Sequence, residues 1–129
     1  MIQRAEAEFY HSMMIRRFGG SHGIRDAGIL DAALNRPFAT FGGEDLFPSA
    51  TAKAAAVMHG IITGHPFIDG NKRTGYVLGR LLLQKEGLDI SANEDERYDL
   101  VILVATGKMD VDQLKEWLDR NTIQIGSDK

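Results

Sequence analysis

The sequence predicts an all-α domain of five to six helices around one buried central helix, with one irregular, flap-like loop. Three observations lead there. Apolar residues recur at helical spacing, and no segment alternates convincingly with period two. Cap and stop residues divide the chain into segments with short connections, without an internal repeat, low-complexity tract or Pro-rich linker. The run Tyr76-Val77-Leu78-Gly79-Arg80-Leu81-Leu82-Leu83 is apolar on nearly every side, as expected of a helix surrounded by protein.

In order, residues 2–18 place Ile2, Ala5, Phe9, Met13 and Ile15 near helical spacing, with Arg16 and Arg17 in the last turn and Gly19-Gly20 as a stop. His11 lies on this helix without a chemical neighbour in sequence and reads as a surface or packing residue. After a Gly-containing loop, Asp26 is placed to cap a short helix through Leu30 and Leu34, ended by Pro37. Phe38 to Pro48 is a loop with Gly42-Gly43 and the apolar residues Phe38, Phe41, Leu46 and Phe47, which must pack down or meet a partner. Ser49 caps an Ala-rich helix through Val57 and Ile62, and Gly64 is its expected stop. His59 on that helix is six residues before His65, off its face, and reads as a buried, hydrogen-bonded histidine. The central helix is expected from Asn71 to about Glu86, with Gly87 beyond its end and Leu88-Asp89-Ile90 extended. Asn93 or Ser91 caps a helix with Leu100 and Val104 closed by Gly107; Asp110 caps a last helix with Leu114, Trp117 and Leu118 on one face. The tail after Ile125 is expected to fray.

A chain of 129 residues suits one domain, 1–129, with a single core. Its net charge of -3 gives no field that favours a nucleic-acid polyanion. Cysteine is absent, which removes disulfides, thiolate nucleophiles and Cys-ligated zinc and agrees with a reducing compartment. The first residues carry acids rather than an apolar core, and no apolar run approaches the roughly 18 residues of a membrane span. These features together read as a cytoplasmic protein.

The chemistry is concentrated in Gly64-His65-Pro66-Phe67-Ile68-Asp69-Gly70-Asn71-Lys72-Arg73-Thr74-Gly75, where a loop enters a helix. A helix start offers unpaired N–H groups and partial positive charge, a ready anion site that Lys72 and Arg73 deepen. Asn71 between Gly70 and Lys72 rules out a P-loop, and a metal hydrolase lacks a third local ligand beside His65 and Asp69. A purely structural turn explains each residue separately but not their concentration. Phosphoryl or nucleotidyl transfer needs a cationic phosphate cradle, a carboxylate for Mg²⁺ and a base for the attacking hydroxyl, and all three are present. His65 suits the base, Asp69 the Mg²⁺ ligand, and Asn71 a donor to phosphate oxygen; Gly70 lets the backbone come close.

His65-Pro66-Phe67-Ile68-Asp69-Gly70-Asn71-Lys72-Arg73-Thr74 resembles the signature of the Fic/Doc superfamily in its Doc (death-on-curing) branch, H-x-F-x-D-[AG]-N-K-R-T, at every fixed position. The likeness extends through Gly23-Ile24-Arg25-Asp26, Ala32-Ala33-Leu34, Arg36-Pro37 and Asp45-Leu46-Phe47. It implies His65 as catalytic base, Asp69 as the carboxylate that binds Mg²⁺ or orients the target, and Gly70, Asn71, Lys72 and Arg73 as the nucleotide-phosphate group. Phe67 becomes the buried aromatic that pins the loop, and residues 38–48 the flap that aligns a target segment by strand addition.

Larger Fic proteins, which mostly transfer AMP, have Gly where Lys72 stands and Arg where Tyr76 stands, although Pro66 and Gly70 are as in that branch. The resemblance thus implies a toxin kinase that moves phosphate from Mg²⁺-ATP to a hydroxyl of elongation factor Tu, with AMP transfer as the alternative. A catalytically silent interaction module is the contrasting class. Thr40-Phe41-Gly42-Gly43-Glu44 only loosely matches the inhibitory [ST]-x-x-x-E-[GN] helix of many Fic proteins, so the implied restraint is a Phd-like antitoxin acting in trans.

Overall fold

The computed structural model describes residues 1–125. In chain order it contains α1 (Arg4–Phe18), α2 (Ala27–Asn35), a 3₁₀ turn (Arg36–Phe38), β1 (Thr40–Phe41), β2 (Glu44–Asp45), α3 (Ala50–Gly64), α4 (Asn71–Lys85), β3 (Leu88–Ile90), α5 (Glu94–Ala105), α6 (Val111–Arg120) and β4 (Thr122–Gln124). The expectation of a fraying tail concerns residues outside the described ones. Helices carry the fold, as the sequence predicts.

Four helices begin where a side chain accepts one of the N–H groups that the helix itself leaves unpaired. Asp26 accepts from Ile29, Ser49 from Ala52, Asn93 from Glu96 and Asp110 from Gln113, at 2.8–3.0 Å. Glu96 and Gln113 return the bond to complete capping boxes. The start of α4 differs, because its N-cap is Gly70 and no side chain caps it.

The most enclosed helix is α3, which packs against α2, the 3₁₀ turn, α4, α5 and α6. One of its sides joins Leu30, Leu34, Phe67 and Leu78 through Val57 and Ile61; another joins Leu83, Leu100, Val104, Leu114 and Leu118 through Met58 and Ile62. The sequence reading gives that central place to the helix from Asn71. In the structure α4 is the close partner, with Tyr76, Val77, Arg80 and Leu81 half-buried. The reason is size: Ala54, Ala55 and Ala56 let neighbours crowd α3 from all sides. Glycine permits the closest contact, since a Cβ on Gly75 would lie 2.8 Å from Cγ1 of Ile62.

Several local expectations change. In α1 the inward face is Ala7, His11 and Ile15, whereas Phe9 and Met13 face solvent; the periodicity misled because a histidine occupies the centre of the buried stripe. Short strand pairs form, one of them on Leu88–Ile90, the stretch expected to be extended. Thr122–Gln124 pairs antiparallel with Leu88–Ile90, and Thr40–Phe41 with Glu44–Asp45 across Gly42-Gly43. Such short pairs show too few residues for alternation to register. His59 is half-buried with Nδ1 unpartnered among the described residues, and burial, aided by Arg36, pushes its pKa down. Gly64 does not stop α3 but remains helical, and it is a glycine for room, since a Cβ there would sit 2.8 Å from Cγ2 of Ile29. Its expected left-handed conformation passes to His65.

The far end of α4 is tied down by Arg80, whose Nε and Nη2 donate to the Asp89 carboxylate at 2.7 and 2.9 Å. These bonds hold the Asp89 carboxyl below the usual range. A lowered folded pKa contributes stability above the unfolded value, and that stability is lost as pH falls through the folded one. Solvent reaches Arg80, so the pair contributes about 0.5–1 kcal/mol. Asp89→Asn should therefore lower Tm by about 2–5 °C at neutral pH. In thermal melts against pH, the gap to the unaltered chain should close below about pH 4.

Candidate active site

Five residues, Pro66 to Gly70, and the cap at His65 carry the chain from α3 to α4, and each is fixed by something outside the turn. His65 caps α3 with φ 51° and ψ 54°, the left-handed region that side chains enter at a cost of about 1–2 kcal/mol. Arg25 holds it there: Nε donates to the His65 carbonyl at 2.6 Å and Nη2 to that of Gly64 at 2.8 Å. These are terminal carbonyls of α3, where a cation also complements the helix dipole.

A short backbone bridge continues the brace. The N–H groups of Arg25 and Asp26 both donate to the Pro66 carbonyl, at 2.7 and 3.0 Å, and that of Ile68 donates to the Gly23 carbonyl at 3.0 Å. Phe67 between them is 1% exposed. Asn71 closes the loop on itself: Oδ1 accepts from the Phe67 N–H and Nδ2 donates to the Phe67 carbonyl, both at 3.0 Å. The sequence reading has this amide donating to phosphate. In the structure it is buried on the loop, and what Asn71 presents at the helix start is its main-chain N–H.

Asp69 is exposed, with Oδ1 accepting from Gly70 N–H at 2.9 Å and Oδ2 from Ser21 N–H at 3.2 Å. Gly70 takes φ 76°, which glycine enters freely. The N-cap carbonyl of Gly70 accepts from Thr74 N–H at 3.0 Å, which opens the helical ladder. By helix geometry the N–H groups of Asn71, Lys72 and Arg73 lack intrahelical acceptors, so three donors point along the axis at the positive end of the dipole. Lys72 and Arg73 are exposed beside them, and the Arg73 guanidinium lies 4.4 Å from the ring centroid of Phe18.

The structure thus leaves His65, Asp69, Lys72 and Arg73 exposed along one braced turn and the helix start that follows it, with Gly70 between them and Phe67 and Asn71 buried. This helix start can hold an anion of phosphate type, next in the chain to the turn that His65 opens. A single exposed carboxylate fits Mg²⁺ as well, because that ion is commonly held by one or two carboxylates and the substrate's own phosphates. Sequence reasoning missed Arg25 and His11 as parts of the site. Spacing offered a signal for His11, which falls four residues from both Ala7 and Ile15, but nothing local reveals that Arg25 reaches the end of a helix 40 residues on.

The left-handed cap gives a test that needs no substrate. His65→Gly should melt about 2–5 °C above His65→Ala, since glycine relieves the strain and alanine keeps it. Equal melting temperatures would mean that the turn is unstrained.

The model of the Fic/DOC family matches residues 2–83. "Toxin Doc" of Mycolicibacterium smegmatis is 39% identical over 99 residues, 75% of this chain and 76% of that protein. "Protein kinase doc" of Escherichia phage P1 is 32% identical over 113 residues, 85% of this chain and 86% of that one. A Fido domain-containing protein of Dictyostelium discoideum is 44% identical over 52 residues, 37% of this chain and 36% of its own.

Proposed function

Since this chain belongs to the Fic/Doc family, in its Doc branch, we propose that it is a toxin enzyme: a kinase that transfers the γ-phosphoryl group of Mg²⁺-ATP to a Ser or Thr hydroxyl of a translation factor of the elongation factor Tu type. The observation that carries the chemistry is an uncapped helix start, flanked by Lys72 and Arg73, within the turn that leaves from His65. The names of two relatives, a toxin and a protein kinase, support the biological reading.

In this reading the phosphates lie on the N–H groups of Asn71, Lys72 and Arg73, with both cations against their oxygens. Asp69 holds Mg²⁺, which when bound neutralises phosphate charge, or orients the target. His65 accepts the proton of the attacking hydroxyl as that oxygen bonds to the γ-phosphorus and the bond to the bridging oxygen breaks, releasing ADP. Exposure of His65 suits a protein substrate, because a folded target must bring its hydroxyl to the base. The β1–β2 hairpin, with Phe41 80% exposed, offers unpaired strand edges on which a target segment can align.

Lys72 supports the kinase over AMP transfer. A glycine at this position leaves room at the helix start for a phosphate, whereas a lysine fills that room with a charged chain and favours another nucleotide orientation. A Phd-like antitoxin is the proposed restraint, and a translation-factor target makes the cytoplasm the proposed place of action. Among the described residues no helix is long and apolar enough to cross a membrane.

Incubation with elongation factor Tu and ATP labelled at the γ or the α phosphorus should label the target only from the γ position, with His65→Ala silent. Label from the α position alone would establish AMP transfer instead. Undiminished growth arrest by His65→Ala in cells would overturn the enzymatic reading altogether and favour a binding module.

A further inference from the structure

We infer that His11, on α1, is a positioning residue of this site: its imidazole fixes the Asp69–Gly70 peptide, and through it the Asp69 carboxylate and the first N–H groups of α4. The inference rests on the reading of the turn as a nucleotide site and names a part of it that the signature motif does not contain.

His11 is 3% exposed, in a stripe whose other members, Ala7 and Ile15, are apolar. A buried imidazole is costly unless its polar atoms find partners. Nε2 lies 2.7 Å from the carbonyl oxygen of Asp69, 58 residues along the chain. A carbonyl only accepts, so Nε2 carries the proton and donates, which fixes the ring's hydrogen-bonding role. The ring lies flat on Phe67, with centroids 3.9 Å apart and planes 6° apart. The stack sets the height of the imidazole over the turn, and the hydrogen bond sets its rotation.

The atom it grips is well placed for control. The Asp69 carbonyl and the Gly70 N–H belong to one planar peptide unit. That N–H donates to Asp69 Oδ1 at 2.9 Å, so rotation of the plane would swing the carboxylate with it. It would also turn Gly70, the N-cap from which α4 starts. Ile15 crowds the same face of Gly70 as His11, since a Cβ there would lie 3.0 Å from Cδ1 of Ile15 and 3.7 Å from Nε2 of His11. Core filling alone asks for none of this, because a phenylalanine or leucine would occupy the same space without a donor.

Two full-length variants separate the roles. His11→Phe keeps a ring on Phe67 and removes the donor; His11→Gln keeps a donor and loses the stack. The measurements are the Mg²⁺-ATP dissociation constant by calorimetry, amide hydrogen exchange over residues 68–72, and Tm. His11→Phe should weaken binding about tenfold, as loss of an outer partner does at other ligand sites, and speed exchange at Gly70 and Asn71 with little change in Tm. His11→Gln should bind more tightly than His11→Phe despite melting lower. If affinity simply follows Tm in both variants, or if neither variant alters exchange in the turn, His11 is core packing and the inference is overturned. Exchange needs no nucleotide: faster exchange in His11→Phe beside an unaltered chain that binds no Mg²⁺-ATP would keep the clamp and remove the nucleotide reading.

Discussion

A side-chain amide acting as a backbone is what the bend between α3 and α4 depends on. The two helices press together through Gly75, so the turn that joins them has no room to wander. A buried turn leaves main-chain groups that must be paired. Asn71 supplies one donor and one acceptor to Phe67, as a neighbouring strand would, from the helix that the turn is about to enter. An aspartate would offer acceptance only and a leucine neither, so this position is held to an amide by local geometry.

Once Phe67 is held, the other braces have a fixed object to grip. Gly23, Arg25 and Asp26 pair with the main chain on one side, and His11 stacks on the other. Arg25 then secures the left-handed cap at His65. The proposed base is thereby carried on the end of the most enclosed helix, while its residue stays exposed. Rigid main chain under exposed reactive groups is the arrangement that positions chemistry well, because little freedom remains to be lost when substrate arrives.

Much of this is legible in the amino-acid sequence. Helix starts at Asp26, Ser49, Asn93 and Asp110 could be read because a cap is a local event, decided within four residues. The motif could be read because its residues are contiguous. What could not be read was long-range or sterically motivated. Gly64 looked like a stop, but it is a glycine because Ile29 crowds it. Arg25 and His11 looked ordinary because their partners lie 40 and 58 residues away. The face of α1 was misjudged because hydropathy counts an imidazole as polar, whereas burial asks only whether its atoms are satisfied. In sequence the Asn71 amide reads as a donor to the ligand, whereas in the structure the turn's own main chain takes it.

The charge on the first turn of α4 has the wrong sign for stability. Helices favour acids at their N-termini and bases at their C-termini, by about 0.3–1 kcal/mol each. The contrast within this chain is direct: α5 opens with Glu94, Asp95 and Glu96 and a complete capping box, whereas α4 opens with no acid, no cap, and Lys72 and Arg73 side by side. Two adjacent cations at the positive end of a dipole repel each other and the helix alike. Arg73 rests over the ring of Phe18, a contact that tolerates its charge without neutralising it. Frustration of this kind, in a chain where four other helices start at a capping side chain, marks a place shaped by something other than folding. An anion at that helix start would satisfy the three free N–H groups and relieve the repulsion together, so the features that weaken the bare turn are the ones that would strengthen its hold on a phosphate.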